Sequence, residues 1–281
     1  MRGRLYLIAT PIGNLEDITL RAIRILAEVD VIACEDTRHS RKLLTHHGIK
    51  GKLVSCHEHN ESIRAEEFAK LWAVGKSVAL ISDAGSPGIS DPSYRLVRKA
   101  TEIGVDVIPI PGPTAFVAAV TSSGLPSDAI LFKGFLPSKK TERRKVFEGL
   151  RATEATIVFY EAPHRLIGSL KDCLETLGDR EAVVARELTK IHESFHRGPI
   201  TRLIEIFTKQ PPKGEIVLII DRGQKEAGIT HASIREAVEA FEEAGLDSKS
   251  ALKKVAKERS EEHTSELQSR QYLVCRLLLE K

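Results

Sequence analysis

Val78-Ala79-Leu80-Ile81-Ser82-Asp83-Ala84-Gly85-Ser86-Pro87-Gly88-Ile89-Ser90-Asp91-Pro92 is the stretch on which the fold turns. The first four residues are an unbroken apolar run, as expected of a strand buried on both faces. The next eleven hold two Gly, two Pro and two Asp, which end the strand in a loop where the backbone lies open. Helical periodicity resumes over 93–103, so the stretch reads as strand, loop and helix. The same loop also suits a tight cap for that helix through Asp91 or Ser93.

The unit recurs on both sides. Residues 5–9, 31–34, 53–56 and 105–108 read as further strands. At 18–29, Ile18, Ala22, Ile25, Leu26 and Val29 fall on one helical face. Residues 61–74 behave similarly. Strand and helix alternating at this spacing predict α/β architecture: a largely parallel sheet with helices on both faces and ligands beyond the carboxyl ends of its strands. A second set follows a turn-rich hinge at 122–128. Strands are predicted at 130–132, 156–160, 182–186, 194–196 and 215–220, and helices at 141–150, 165–177 and 201–209. The expected organisation is therefore an N-terminal α/β domain (1–124), a C-terminal mixed α/β domain (125–223), and a truncated helical module (224–258) with helices at 233–244 and 248–258. From Arg259 the sequence changes character. Residues 259–269 resemble a translated sequencing adapter and 273–281 its continuation, so 259–281 is read as a gene-assembly artefact outside the fold.

Composition excludes more than it selects. With 42 Lys and Arg against 39 Asp and Glu the formal charge is +3, too small to signal nucleic-acid binding, so any RNA surface must be a local patch. Four widely spaced cysteines with no CxxC pair suit a reducing cytoplasm rather than a disulfide or zinc framework. No run is long enough to span a membrane, and no G-x-G-x-x-G or P-loop motif occurs.

Three loops follow strands directly: Thr10-Pro11-Ile12-Gly13-Asn14-Leu15, the Ser82–Pro92 loop, and Pro109-Ile110-Pro111-Gly112-Pro113-Thr114-Ala115 leading into a small-residue helix at 115–122. Glycines let a ligand approach the backbone, and carboxylates or carbonyls suit a cationic or hydroxyl-rich ligand better than a phosphate. Groups able to accept a proton are Glu35 and Asp36, the run His57, Glu58, His59 and Glu61, and Glu187, Lys190 and Glu193, with Glu35, Asp36, His57 and Lys190 favoured. Glu35-Asp36-Thr37-Arg38 reads equally well as a helix N-terminus. His57-Glu58-His59 lacks a third ligand, so no metal is expected. Lys139, Lys140, Arg143, Arg144, Lys145, Arg151, His164 and Arg165 are candidate phosphate contacts or a solvated helix face.

TPIGNL (10–15), EDTR (35–38), SDAGSPGISDP (82–92) and PIPGPTA (109–115) resemble the ribosomal RNA small-subunit methyltransferases of the tetrapyrrole methylase superfamily. KGFLP (133–137), FYEAPHR (159–165), ARELTK (185–190) and KGE (213–215) continue the resemblance in order and spacing, over roughly residues 4–258. It implies S-adenosyl-L-methionine folded in a cleft between two α/β domains, with contacts from Pro11, Gly13, Asp83, Gly85, Pro87, Gly112, Thr114 and Ala115, and from Phe159, Leu188 and Gly214. It further implies 2'-O-methylation of a cytidine in the decoding region of 16S rRNA within the small ribosomal subunit, a homodimer, and a C-terminal helical module that aids RNA or ribosome binding. Two alternatives stay open: a cobalamin or siroheme pathway methyltransferase, and a non-catalytic ribosome-associated ligand-binding protein.

Overall fold

The computed structural model of the chain describes residues 3–91, 93–223, 238–239, 241–242 and 245–260. β1 (Leu5–Ile8), β2 (Val31–Cys34), β3 (Leu53–Ser55), β4 (Val78–Ile81) and β5 (Val107–Ile110) form a five-stranded sheet in the order β3-β2-β4-β1-β5. Every pairing in it is parallel. The connecting helices are α1 (Leu20–Glu28), α2 (Thr37–His46), α3 (Glu61–Ala73) and α4 (Tyr94–Glu102).

Side chains alternate across this sheet with period two. Ile8, Ile32, Cys34, Ala79 and Ile81 pack with Ala22, Ile25 and Leu26 of α1 and Leu43 and Leu44 of α2. Leu5, Val31, Ala33, Val78 and Leu80 pack with Phe68 and Trp72 of α3 and Leu96 and Ala100 of α4. β5 begins two residues later than the apolar run predicts, because the Val105 amide donates to the Ala100 carbonyl (2.8 Å) and belongs to the exit from α4. Pro109 is tolerated in β5 because that strand is an edge, where a missing donor breaks no ladder.

The chain then runs through α5 (Ala115–Thr121) into a second five-stranded sheet. It comprises β6 (Ile130–Phe135), β7 (Thr156–Glu161), β8 (Glu181–Arg186), β9 (Ser194–Pro199) and β10 (Ile216–Ile220), in the order β6-β7-β10-β8-β9. β6 pairs parallel with β7, and the other pairings are antiparallel. α6 (Lys140–Glu148), α7 (Leu166–Leu177) and α8 (Ile200–Lys209) cover one face, burying Phe147, Leu170 and Leu203 against Ile157, Phe159, Val184 and Leu218. On the other face Val158, Val183, Ala185, Val217 and Ile219 pack on Ala119 and Val120 of α5 and on Ile12 from the loop after β1. The small residues of α5 therefore allow the first half of the chain to sit on the second sheet. Arg197 fastens the same junction by donating from Nε to the Ser123 carbonyl (2.9 Å) and from Nη2 to the Ser122 carbonyl (2.6 Å).

Residues 1–223 form one compact unit and 224–281 another. In the latter a helix runs Ser248–Ser260, and Asp247 caps it by accepting from the Lys249 and Ser250 amides (3.1 Å each). Most of the helix expected at 233–244, and residues 261–281, lie outside the described residues. No helix among the described residues is long and apolar enough to cross a membrane.

Candidate functional site

Strand order places the site. β4, β1 and β5 are neighbours, so the three Gly- and Pro-rich loops emerge side by side at one sheet edge. They are also tied together. Thr10 and Gly85 exchange two backbone hydrogen bonds (2.9 Å each), the Thr10 hydroxyl donates to the Ser82 carbonyl (3.0 Å), and the Ser86 and Thr114 hydroxyls are 2.7 Å apart. Gly112 permits this closeness, since a Cβ there would come within 2.9 Å of the Ala9 Cβ. The loop after β2 joins through the Asp36 amide, which donates to Asp83 Oδ1 (3.2 Å).

Between these loops and the second sheet lies a cavity of about 430 Å³, within the ordinary range for small-molecule sites. Ile12, Asp83, Ala84, Gly85, Ser86, Ile89, Ser90, Asp91, Thr114 and Ala115 line it from the first half. Phe135, Tyr160, Glu161, Ala162, Pro163, Leu188, Gly214, Glu215, Ile216 and Val217 line it from the second. Six of the expected cofactor contacts are thus assembled: Asp83, Gly85, Thr114, Ala115, Leu188 and Gly214. Pro11, Pro87 and Gly112 belong to the same loops but do not line the cavity. Gly13 lies where the halves meet closely, as a Cβ there would fall 2.5 Å from Lys190 Cγ and 3.0 Å from the Leu188 carbonyl. Phe159 is 1% exposed on the helix-covered face of β7, against Phe147. Period two gives the cavity Tyr160 instead.

The lining carries four carboxylates and neither Lys nor Arg. Glu161 is a brace, accepting from the Ala162 amide and Arg165 Nε (2.7 Å each) and from the Ser169 hydroxyl. Asp91 is different. Burial first, then the charges of Glu35 and Asp83, push its carboxyl up to about 6. Sequence reasoning passed over Asp91 as a proton acceptor, because nothing in SDP reveals burial or a distant Glu35. Tyr160 and Phe135 on the cavity wall join Phe132 and Phe116 behind them in an aromatic cluster, with neighbouring ring centroids 4.5 to 5.4 Å apart. Burial pushes the Tyr160 phenol up, against a backbone hydrogen bond at Phe116.

The favoured proton acceptors separate. Glu35 sits exposed at the carboxyl end of β2. Asp36 is the N-cap of α2, accepting from the Arg38 amide (2.8 Å), and that bond together with the Arg38 side chain holds its carboxyl below the usual range. His57 is locked in the turn before α3, where its amide donates to Asn60 Oδ1 (2.8 Å) and its Nε2 lies 3.2 Å from Asn60 Nδ2. Glu61 caps α4, accepting from the Arg95 and Leu96 amides (2.9 and 3.2 Å). Lys190 Nζ donates to Glu187 Oε1 (2.8 Å) and pairs with Glu215 (3.2 Å). Burial lowers its pKa, but the two carboxylates outweigh this and keep it charged. Glu187 Oε1 also accepts from the Glu215 amide (2.9 Å), so Lys190 and Glu187 clamp the loop after β8 to the cavity rim. No group of three or more His, Cys, Asp or Glu among the described residues could hold a metal ion.

One signal is invisible in sequence. Among the described residues the only non-glycine residues with positive φ are Ser90 (65°), Glu187 (52°) and Thr189 (65°). Ser90 lines the cavity, and the other two flank Leu188, which does so as well. Backbone in the left-handed region costs roughly 1–3 kcal/mol per residue and concentrates at ligand sites.

Two sheets enclosing an acid-lined cleft define a two-lobed α/β protein with a pocket of small-molecule size. The family model of the Tetrapyrrole (Corrin/Porphyrin) Methylases matches residues 4–204. The chain is 47% identical over 263 residues to ribosomal RNA small subunit methyltransferase I of Halalkalibacterium halodurans, covering 92% of this chain and 91% of that one. It is 46% identical over 218 residues to the protein of the same name from Thermotoga maritima, covering 78% and 98%. Among solved structures it resembles uroporphyrin-III-C-methyltransferase from Thermus thermophilus (TM-score 0.56, 21% identity, 79% and 95% covered) and the methyltransferase CobJ (TM-score 0.59, 18% identity, 78% and 94% covered). The chain belongs to the tetrapyrrole methylase family, and within it to the ribosomal RNA small subunit methyltransferase I family.

Proposed function

We propose that the protein transfers the methyl group of S-adenosyl-L-methionine to the 2'-hydroxyl of a cytidine in the decoding region of 16S rRNA, acting as a cytoplasmic homodimer on the small ribosomal subunit. The observation that carries the reading is the pairing of near-full-length identity to relatives of that name with a cavity free of Lys and Arg. The bound cofactor supplies an electrophilic methyl on a positively charged sulfur. Asp83 and Asp91 favour that charge, the loop backbones around Gly85 and Thr114 offer hydrogen-bonding groups, and Leu188, Ile216 and Val217 keep the floor dry. Aligning an oxygen with a methyl group in such a cleft supplies much of the rate. Asp91 is the proton acceptor in this reading, since a carboxylate near 6 is mostly ionised at neutral pH and still able to hold a proton.

The fold also serves tetrapyrrole methyltransferases, but likeness at 18 to 21% identity carries the fold alone. The test uses the full chain with tritiated S-adenosylmethionine and small subunits from cells lacking the endogenous enzyme, followed by nucleoside analysis. Label in a 2'-O-methylcytidine derivative is expected. Cofactor binding with no labelled RNA would overturn the reading in favour of a non-catalytic protein, and label on uroporphyrinogen supplied in a parallel reaction, with none on RNA, would favour a tetrapyrrole enzyme.

A further inference from the structure

Two surfaces carry clustered cations, and the structure separates them. On the second half, Lys139 pairs with Glu142 (3.3 Å), Lys140 with Asp172 (3.8 Å), Arg144 with Asp172 (3.0 Å) and Glu175, and Arg165 with Glu161. Arg143 is 6% exposed and donates from Nε to Asp172 Oδ2 (2.8 Å). Five of the cations that the sequence displays there are thus engaged in ion pairs within the protein, three of them on the single carboxylate of Asp172.

α2 is the reverse. Its ten residues, TRHSRKLLTH, include no acid. Ser40, Leu43 and Leu44 are buried against the sheet, while Arg38, Arg41, Lys42, Thr45 and His46, at i, i+3, i+4, i+7 and i+8, share the exposed face. With Leu15 these five side chains line an open groove of about 520 Å³. The ion pairs of the described residues leave Arg41 and Lys42 unmatched, and Arg38 meets only Asp36 (3.4 Å) with its own side chain 90% exposed. The groove lies a few residues along the chain from the cavity lining. The Asp36 amide that precedes the helix donates to Asp83, which lines the cavity, and Leu15 ends the loop after β1.

We infer that this face of α2 is the track on which the phosphate backbone of the substrate RNA lies, beside the cleft where its ribose reacts. The inference rests on the proposed RNA-directed activity and adds where the strand runs. Arginine and lysine with a hydroxyl between them are phosphate-binding groups. Protein partners require an apolar core that this groove lacks beyond Leu15, whereas nucleic-acid interfaces are polar and positively charged.

The full-length protein carrying Arg41→Glu and Lys42→Glu should bind S-adenosylmethionine as the wild type does by calorimetry, because neither residue lines the cavity. Its affinity for a naked 16S rRNA fragment should fall at least about 25-fold at 0.1 M salt, and the plot of log K against log salt should flatten by at least about 1.4, the contribution of two single-strand phosphates. Lys139→Glu with Lys140→Glu, on the paired surface, should leave both quantities near wild type. Unchanged affinity and salt slope in the α2 variant, with the wild type still methylating RNA, would overturn this inference alone. A loss seen with whole subunits but not with naked rRNA would overturn it in favour of a ribosomal protein as the occupant. A wild type that neither binds nor methylates rRNA would remove the proposed function and this inference with it.

Discussion

Asp91 is held where a carboxylate is costly and a proton acceptor useful, half-buried in the cavity wall with two like charges nearby. Its folded-state pKa is raised, so ionising it destabilises the native chain as pH climbs from about 4 to about 6, and the penalty is fully present above that. Asp91→Asn should therefore raise the melting temperature at pH 7.5, by an amount equivalent to roughly 1 kcal/mol once partial exposure is allowed for, and change nothing near pH 4. The same substitution should lower kcat about 100-fold, abolish the rise in rate through pH 6 and, since Asp91 also faces the cofactor's charge, weaken cofactor binding. A variant that keeps the acidic limb would assign the proton to another group. Gly214 offers a separate test. Its φ is +82° and an added Cβ would collide with Glu187 Oε1, so Gly214→Ala must displace the carboxylate that Lys190 holds. Cofactor affinity should drop about tenfold or more, roughly 1.4 kcal/mol, read by calorimetry.

Among the elements, what was legible in the sequence was whatever left a local pattern. The buried runs at Val31–Cys34 and Val78–Ile81 and the apolar stripe of α1 have the period of their structure, and their positions follow directly. The loops after β1, β4 and β5 stood out as candidate ligand loops because Gly and Pro mark them, although their adjacency depends on a strand order that no local pattern encodes. α2 was only half visible, as a possible helix N-terminus at 35–38, because just Ser40, Leu43 and Leu44 of its ten residues are buried. Asp172 shows the other limit. It is 2% exposed on α7 and receives Arg143 and Arg144 of α6, a pairing across about thirty positions of chain. Asp172→Ala would strand a buried guanidinium and is expected to cost roughly 3–5 kcal/mol, seen as a lower denaturation midpoint with an unchanged m-value. Since α6 and α7 lie on the face of the second sheet opposite the cavity, cofactor affinity measured well below the transition should be unaltered.

For the whole molecule the question is which residues suffice for the site. Every residue lining the cavity lies between Ile12 and Val217, within the compact unit 1–223, as does the cationic face of α2. The Thermotoga maritima relative points the same way, since 218 aligned residues make up 98% of its length. A chain ending at residue 223 should therefore unfold in one cooperative transition and bind S-adenosylmethionine within about twofold of the full-length protein, because no side chain of the site has been removed. RNA affinity divides the contributions. If α2 supplies the track, the shortened chain keeps most of the salt dependence of rRNA binding. If the helix Ser248–Ser260, which carries Lys249, Lys253 and Lys254, supplies it, the slope falls by about 0.7 for each phosphate no longer neutralised, while cofactor binding stays intact. Measuring both constants on the same two chains distinguishes a misfolded truncation, which loses both, from the loss of an RNA arm, which loses only the second.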